Sequence, residues 1–307
     1  MWIAYFFASG AAYFAGAALI GLAACLPSRS SRLLRGVATP VLAVTGMVGA
    51  LLSATPSPVG LYLPWFGLTV AWLALRCVTR PATPRPHNRA TPTTRRGGRF
   101  ALRVDIGLRC AVVILSTAAV LTEWPHTRNP RLTRRVTRTL YVIGDSISAG
   151  IGGSSEHTWP ALLAHRRAID VVNLAVAGAT ARSALAQAAR AADPNAVVLV
   201  EIGGNDLLGG TAVARFEQDL AALLTALTGP HRLVVMVELP LLPFSNGYGA
   251  AQRRVARAAG VALIPKRHLA GVVSAAGATI DGLHLSNVGH ELMERAMWSV
   301  LRPVFED

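Results

Sequence analysis

Thr139-Leu140-Tyr141-Val142-Ile143-Gly144-Asp145-Ser146 is the stretch on which the fold turns. A short, mostly apolar and β-branched run ends abruptly in glycine and two polar residues. That pattern predicts a buried strand, Thr139–Ile143, that stops at a turn carrying a serine. Downstream the texture repeats. Val171–Leu174, Ala196–Glu201, Leu233–Glu238 and Ala262–Ile264 read as four more buried strands. Trp159–Arg166, Ala181–Ala191, Ala214–Leu227, Ala250–Ala259 and Val288–Leu301 read as helices between and after them. Strands alternating with helices predict an α/β fold, a five-stranded parallel sheet covered on both faces. Open sheets of this kind bind ligands at the carboxyl ends of their strands.

The residues at those ends carry the chemistry. Gly144-Asp145-Ser146 follows the first strand, and Asn173 to Gly178 ends the second. Gly203-Gly204-Asn205-Asp206 follows the third, and Asp281-Gly282-Leu283-His284 lies beyond the fifth. A serine, an acid–histidine pair, an asparagine and flexible glycines converging on one rim predict an acyl-transfer site. Ser146 alone reads as a helix cap, and Gly178 and Gly204 alone read as turn glycines. Asp145 reads as a turn-stabilising side chain, Asp206 as structural, and Ser148 as solvated or helix-starting. His157 and His290 read as spare, with His290 in a surface or capping role.

These blocks resemble the SGNH/GDSL hydrolase family, in particular its bacterial periplasmic lysophospholipase, thioesterase and arylesterase branch. Ile143-Gly-Asp-Ser-Ile-Ser-Ala-Gly150, Trp159-Pro-Ala-Leu-Leu163 and Val171-Val-Asn173 carry the likeness to that branch. The resemblance spans about 139–303. It implies a flavodoxin-like three-layer sandwich and a serine ester hydrolase needing no metal or organic cofactor. Ser146 would be the nucleophile, His284 its base and Asp281 the residue orienting the imidazole. The backbone N–H groups of Ser146 and Gly178 and the Asn205 amide would form the oxyanion hole. An O-acyltransferase acting on envelope carbohydrate is the rival enzyme reading. A degenerate binding domain is the non-enzymatic one.

Upstream the composition changes. The chain is 52% hydrophobic and 15% charged, too apolar for an average soluble protein. Trp2–Leu26, Val37–Ala54, Val59–Leu75 and Ile106–Leu121 predict about four transmembrane helices. Leu22-Ala23-Ala24-Cys25 has the look of a lipoprotein cleavage box, but no basic residue precedes it and more apolar segments follow, so an ordinary span is expected. The expected organisation is a membrane region over 1–124, a basic juxtamembrane linker over 125–138 and a hydrolase domain over 139–307.

The net charge of +14 is confined to the first part. Residues 1–138 hold 17 arginines against Asp105 and Glu123, whereas the remainder balances 13 basic against 14 acidic residues. Charge placed beside apolar segments has a topological explanation, and no nucleic-acid motif accompanies it. Arginines cluster after the first span (Arg29, Arg32, Arg35) and between the third and fourth (Arg76 to Arg103). The positive-inside rule puts both loops in the cytoplasm and the hydrolase domain outside, on the periplasmic or extracellular side of a bacterial cytoplasmic membrane. Arg128, Arg131, Arg134, Arg135 and Arg138 then form a strip suited to anionic headgroups. Residues 78–104 read as a flexible linker, and Arg109 as a snorkelling side chain. The expected partners are an acyl ester or thioester substrate and the lipid bilayer. Cys25, Cys77 and Cys110 suggest neither metal spacing nor a disulfide framework.

Overall fold

A computed structural model describes residues 2–27, 34–53, 55–78, 92–133 and 138–306. Arg29, Arg32, Arg80, Arg85, Arg89, Arg134 and Arg135 lie outside them. The chain divides into two compact units.

The first unit is built on five strands: β1 (Thr139–Gly144), β2 (Asp170–Asn173), β3 (Val197–Glu201), β4 (Leu233–Val237) and β5 (Ala262–Ile264). All pair in parallel in the order β2-β1-β3-β4-β5. The central position of β1 and β3 explains their unbroken apolar character, since a parallel sheet is buried on both faces. Alternate residues serve opposite layers. Val198, Val200 and Met236 pack beneath Phe216, Leu220 and Leu224 of helix Val213–Leu227. Leu140, Val142, Leu199 and Val235 pack against Trp159, Met293 and Leu301 on the other face. This is the three-layer α/β sandwich expected from the sequence.

The helices differ from expectation in detail. The predicted helix over 181–191 shrinks to Leu185–Ala188. Short helices Ser146–Ala149, Gly204–Leu208 and Arg267–Val273 lie where no periodicity announced them, because a single turn is too short to show a period.

The second unit, residues 12–52 and 57–124, holds most of the apolar helices, and Trp2–Ala8 falls in the first. Among the described residues two helices, Val59–Val78 and Phe100–Thr127, are long and apolar enough to cross a membrane. Trp2–Ala8 and Ala11–Cys25 make a third only if counted together, because the chain bends by 79° between them. Gly10 stands at that break with φ +87, a conformation that ends a helix. Gly36–Leu52 is shorter than a span. The expectation of four spans is therefore corrected to two or three. Residues 92–104, read as linker, instead begin the long helix Pro92–Glu123.

Within this unit small residues set the helix contacts. A Cβ added at Gly16 would lie 2.4 Å from the Gly46 carbonyl oxygen, and one at Gly46 would lie 2.6 Å from that of Gly16. Such close backbone approach is how apolar helices associate without a hydrophobic driving force. Arg109 reaches the end of a neighbouring helix. It forms an ion pair with Asp105 at 2.8 Å and donates to the Leu26 carbonyl at 2.6 Å, capping a helix end.

Candidate active site

β1 delivers Gly144-Asp145-Ser146 to the rim. Asp145 caps the turn that follows, its Oδ1 accepting from the Ile147 N–H at 2.9 Å. Ser146 begins that turn and is 8% exposed. Gly144 is required sterically, since a Cβ there would sit 2.7 Å from Ser148. Its backbone is clasped on both sides by the Gln187 amide, with N–H to Oε1 and Nε2 to O both at 2.9 Å. Gln252 clasps the end of β4 the same way through Leu239 N–H and Val237 O. Sequence reading passed over both glutamines, although Gln187 is the one polar side chain of its short helix Leu185–Ala188.

Asn205 ties three loops together. Its Nδ2 donates to Ala179 O at 3.0 Å and to Asp145 Oδ2 at 3.2 Å. Asp206 beside it accepts from the Ala181 N–H at 2.8 Å. Gly178 lies in the same loop with φ +78. A Cβ there would meet nothing within 4 Å, so its requirement is conformational rather than steric.

Beneath Ser146 lies a buried acid pair. Ser148, expected to be solvated or helix-starting, lies in the short helix Ser146–Ala149 but is fully buried and donates to Glu201 Oε2 at 2.9 Å. Burial raises the Asp145 carboxyl to about 6, against hydrogen bonds from the Ile147 N–H and with Glu201. Burial, and then the Asp145 charge, push Glu201 well above the carboxylate range. The two therefore share a proton. Burial also raises Asp206.

Asp281 and His284 come together in the loop before the last helix. Asp281 Oδ2 lies 2.6 Å from His284 Nδ1, while Oδ1 accepts from the backbone N–H groups of His284 at 2.8 Å and Leu283 at 3.0 Å. Gly282, at φ +90, permits that tight turn. The His284 side chain, then its backbone N–H and that of Leu283, hold the Asp281 carboxyl well below its ordinary range. His284 is among the charges that lower the Asp145 carboxyl, behind burial and the hydrogen bonds from Ile147 and with Glu201. Among the described residues no hydrogen bond joins Ser146 to His284.

His290 is not the surface residue expected. It is fully buried; Nδ1 accepts from the Trp159 N–H at 3.2 Å, which leaves Nε2 to donate to Glu156 at 3.0 Å. Glu156 in turn receives the N–H groups of Ile151, Gly152 and Gly153. Burial raises its carboxyl, but His290 and those N–H groups outweigh that and hold it low. This assembly shapes the loop after Ser146. A cavity of about 300 Å³ lies elsewhere, between 125–130 and the ends of β4 and β5, and none of Ser146, Asn205, Asp281 or His284 lines it. Among the described residues no three His, Cys, Asp or Glu side chains gather as metal ligands would.

The comparisons agree with this arrangement. Residues 142–292 match the profile of the GDSL-like Lipase/Acylhydrolase family. Esterase TesA of Pseudomonas aeruginosa is 34% identical over 184 residues, covering 54% of this chain and 89% of that protein. Thioesterase 1/protease 1/lysophospholipase L1 of Escherichia coli K12 is 32% identical over 136 residues, 41% of this chain and 65% of that one. A crystal structure of TesA aligns with TM-score 0.48 and 33% identity over 54% of this chain and 98% of its own. One residue in three shared across nearly the whole of a relative named an esterase is descent and not coincidence of turns: the chain belongs to the GDSL-like lipase/acylhydrolase family of SGNH hydrolases.

Proposed function

We propose that this protein is a membrane-anchored serine hydrolase that cleaves acyl esters or thioesters through an acyl-Ser146 intermediate. The 2.6 Å contact between Asp281 Oδ2 and His284 Nδ1 carries the reading. It assigns the proton to Nδ1 and leaves Nε2 free to act as a base. Relatives named esterase, thioesterase and lysophospholipase support the substrate class.

In the first half-reaction, Ser146 Oγ attacks the acyl carbonyl carbon as His284 Nε2 takes its proton. The Ser146–His284 hydrogen bond forms as substrate seats, as contacts of this kind tighten in the reacting complex. The carbonyl oxygen becomes an oxyanion received by the N–H groups of Ser146 and Gly178 and by Asn205 Nδ2. Of the two bonds Asn205 makes, the longer, to Asp145, is the one the oxyanion replaces. Collapse expels the alcohol or thiol, protonated by the His284 imidazolium that Asp281 stabilises. Water then repeats the sequence on the acyl-serine and releases the carboxylic acid.

The anchor is the set of apolar helices, with the hydrolase on the side opposite the arginine clusters. Support comes from the grouping of segments: Trp2–Ala11, Thr55–Pro56 and residues after Trp124, which the arginine pattern puts on one side, belong to one compact unit. A fluorophosphonate probe applied to membranes tests the chemistry. Labelling of wild type and not of Ser146→Ala is expected; no labelling of wild type would sink the reading. Cysteine accessibility across 125–133 tests the side.

A further inference from the structure

The hydrolase unit wears its exposed apolar residues in one place. Nine large apolar side chains are exposed among the described residues of 138–306. One stands in each of the loops at the carboxyl rim: Ile151 after β1, Val176 after β2, Leu208 after β3, Phe244 after β4 and Ile280 beside His284. Leu242 and Leu283 extend the same loops, and Val288 opens the helix that follows His284. The ninth, Val172, lies on the edge strand β2. The opposite end of the sheet and the outer helix faces carry none. An apolar collar around a catalytic centre is not the scatter normal on a protein surface.

Phe244 makes the point sharpest. It is 80% exposed and holds φ at +67, a conformation that non-glycine residues seldom adopt. Backbone strain at an exposed aromatic tip marks a residue held out for contact. The neighbouring chain says what the contact is. Pro56, in the turn between apolar helices Thr39–Leu52 and Val59–Val78, belongs to this same unit and packs at Gly249 beside Leu241. Helix Trp2–Ala8, also in the unit, lies against helix Arg267–Val273 beyond β5 and leaves Trp2 and Ile3 exposed. Exposed tryptophan in a chain that also carries bilayer-length helices is the composition of a membrane–water interface.

We propose that this collar docks on a lipid leaflet, so that the site draws its acyl ester from a membrane-resident lipid and not from solution. The docking surface stands on its own observations; the choice of substrate rests on the hydrolase reading above. Residues of this kind would enter the headgroup and acyl boundary, a depth of about 5–10 Å.

The full chain, with Cys25, Cys77 and Cys110 replaced by serine, tests it in phosphatidylcholine–phosphatidylglycerol vesicles. An environment-sensitive fluorophore is attached at Leu208→Cys, Phe244→Cys or Ile280→Cys, and at exposed His231→Cys before β4 as the control. Lipids brominated along the acyl chain should quench the three rim positions about two-fold or more beyond the control, as interfacial insertion requires. Equal quenching at all four overturns the proposal. Shielding of the rim from aqueous iodide without bromolipid quenching also overturns it, by assigning the collar to a protein partner. In a second arm, Leu208→Glu/Ile280→Glu should lower turnover of vesicle-borne lysophosphatidylcholine about ten-fold more than turnover of p-nitrophenyl acetate, given the cost of charge at a lipid surface. Equal loss on both esters overturns the substrate claim. Rim quenching with neither ester cleaved by wild type keeps the surface and sinks the hydrolase reading instead.

Discussion

Asn205 Nδ2 lies 3.2 Å from Asp145 Oδ2, so the amide expected to face the oxyanion is held by an acid that is itself one half of a buried carboxyl pair. The Ser146 loop, Asn205 and the acids beneath them therefore form one connected network. Its members have separable consequences.

Asn205→Ala removes a donor to the oxyanion and also frees Ala179 O. Turnover should fall about 100- to 1,000-fold. Steady-state kinetics on a soluble ester measures this, with fluorophosphonate labelling of Ser146 slowed but not abolished. Undiminished turnover would remove Asn205 from the oxyanion hole.

Glu201→Gln keeps an acceptor for Ser148 and a donor for Asp145, imitating the protonated acid. Both native carboxyls have raised values, Asp145 to about 6. A raised carboxyl contributes stability that is present below its unfolded value and lost as pH rises through its folded value. Thermal unfolding of the full chain in detergent should thus show wild type weakening from about pH 4 upward and through pH 6. The glutamine variant should weaken less over that range. Glu201→Ala should cost about 1–3 kcal/mol, because it strands the buried Ser148 hydroxyl.

Asp281→Asn takes away the group that sets the His284 tautomer. Because Asp281 is held well below the ordinary range, it stays ionised throughout the working pH range. Turnover should drop on the order of 10²–10⁴-fold with little change in KM or melting temperature. A loss confined to KM would argue that Asp281 serves binding only.

Gln187→Leu leaves the Gly144 N–H without its side-chain acceptor in a buried site, while the Gly144 carbonyl keeps only the Val176 N–H. A destabilisation of about 1–3 kcal/mol is expected, read from denaturant unfolding of the hydrolase signal. Unchanged stability would mean that the clasp is dispensable.

All five strands were legible because each is a short apolar run closed by glycine or polar residues, but β2, read as buried like the others, is a largely exposed edge strand, because edge position is set by the sheet and not by the run. Helices Val213–Leu227 and Asn287–Phe305 were legible through their periodicity. Ser148, Glu201 and His290 were not. Ser148 meets Glu201 across 53 positions, and His290 meets Trp159 across 131. No local pattern foretells such pairs. The membrane helices were misjudged for a related reason: hydropathy counts apolar residues but does not register that Gly10 turns the chain.

Sequence by itself determined the order of strands and helices, the family and the residues gathered at one rim, since each depends on local period, turn chemistry or a short motif. Tertiary structure alone decided which polar groups are buried and what they face, how many of the described apolar helices reach bilayer length, and that exposed apolar side chains recur in the segments following the strands. Burial is a property of neighbours brought together by folding, and a carboxyl or an imidazole carries no mark of it along the chain.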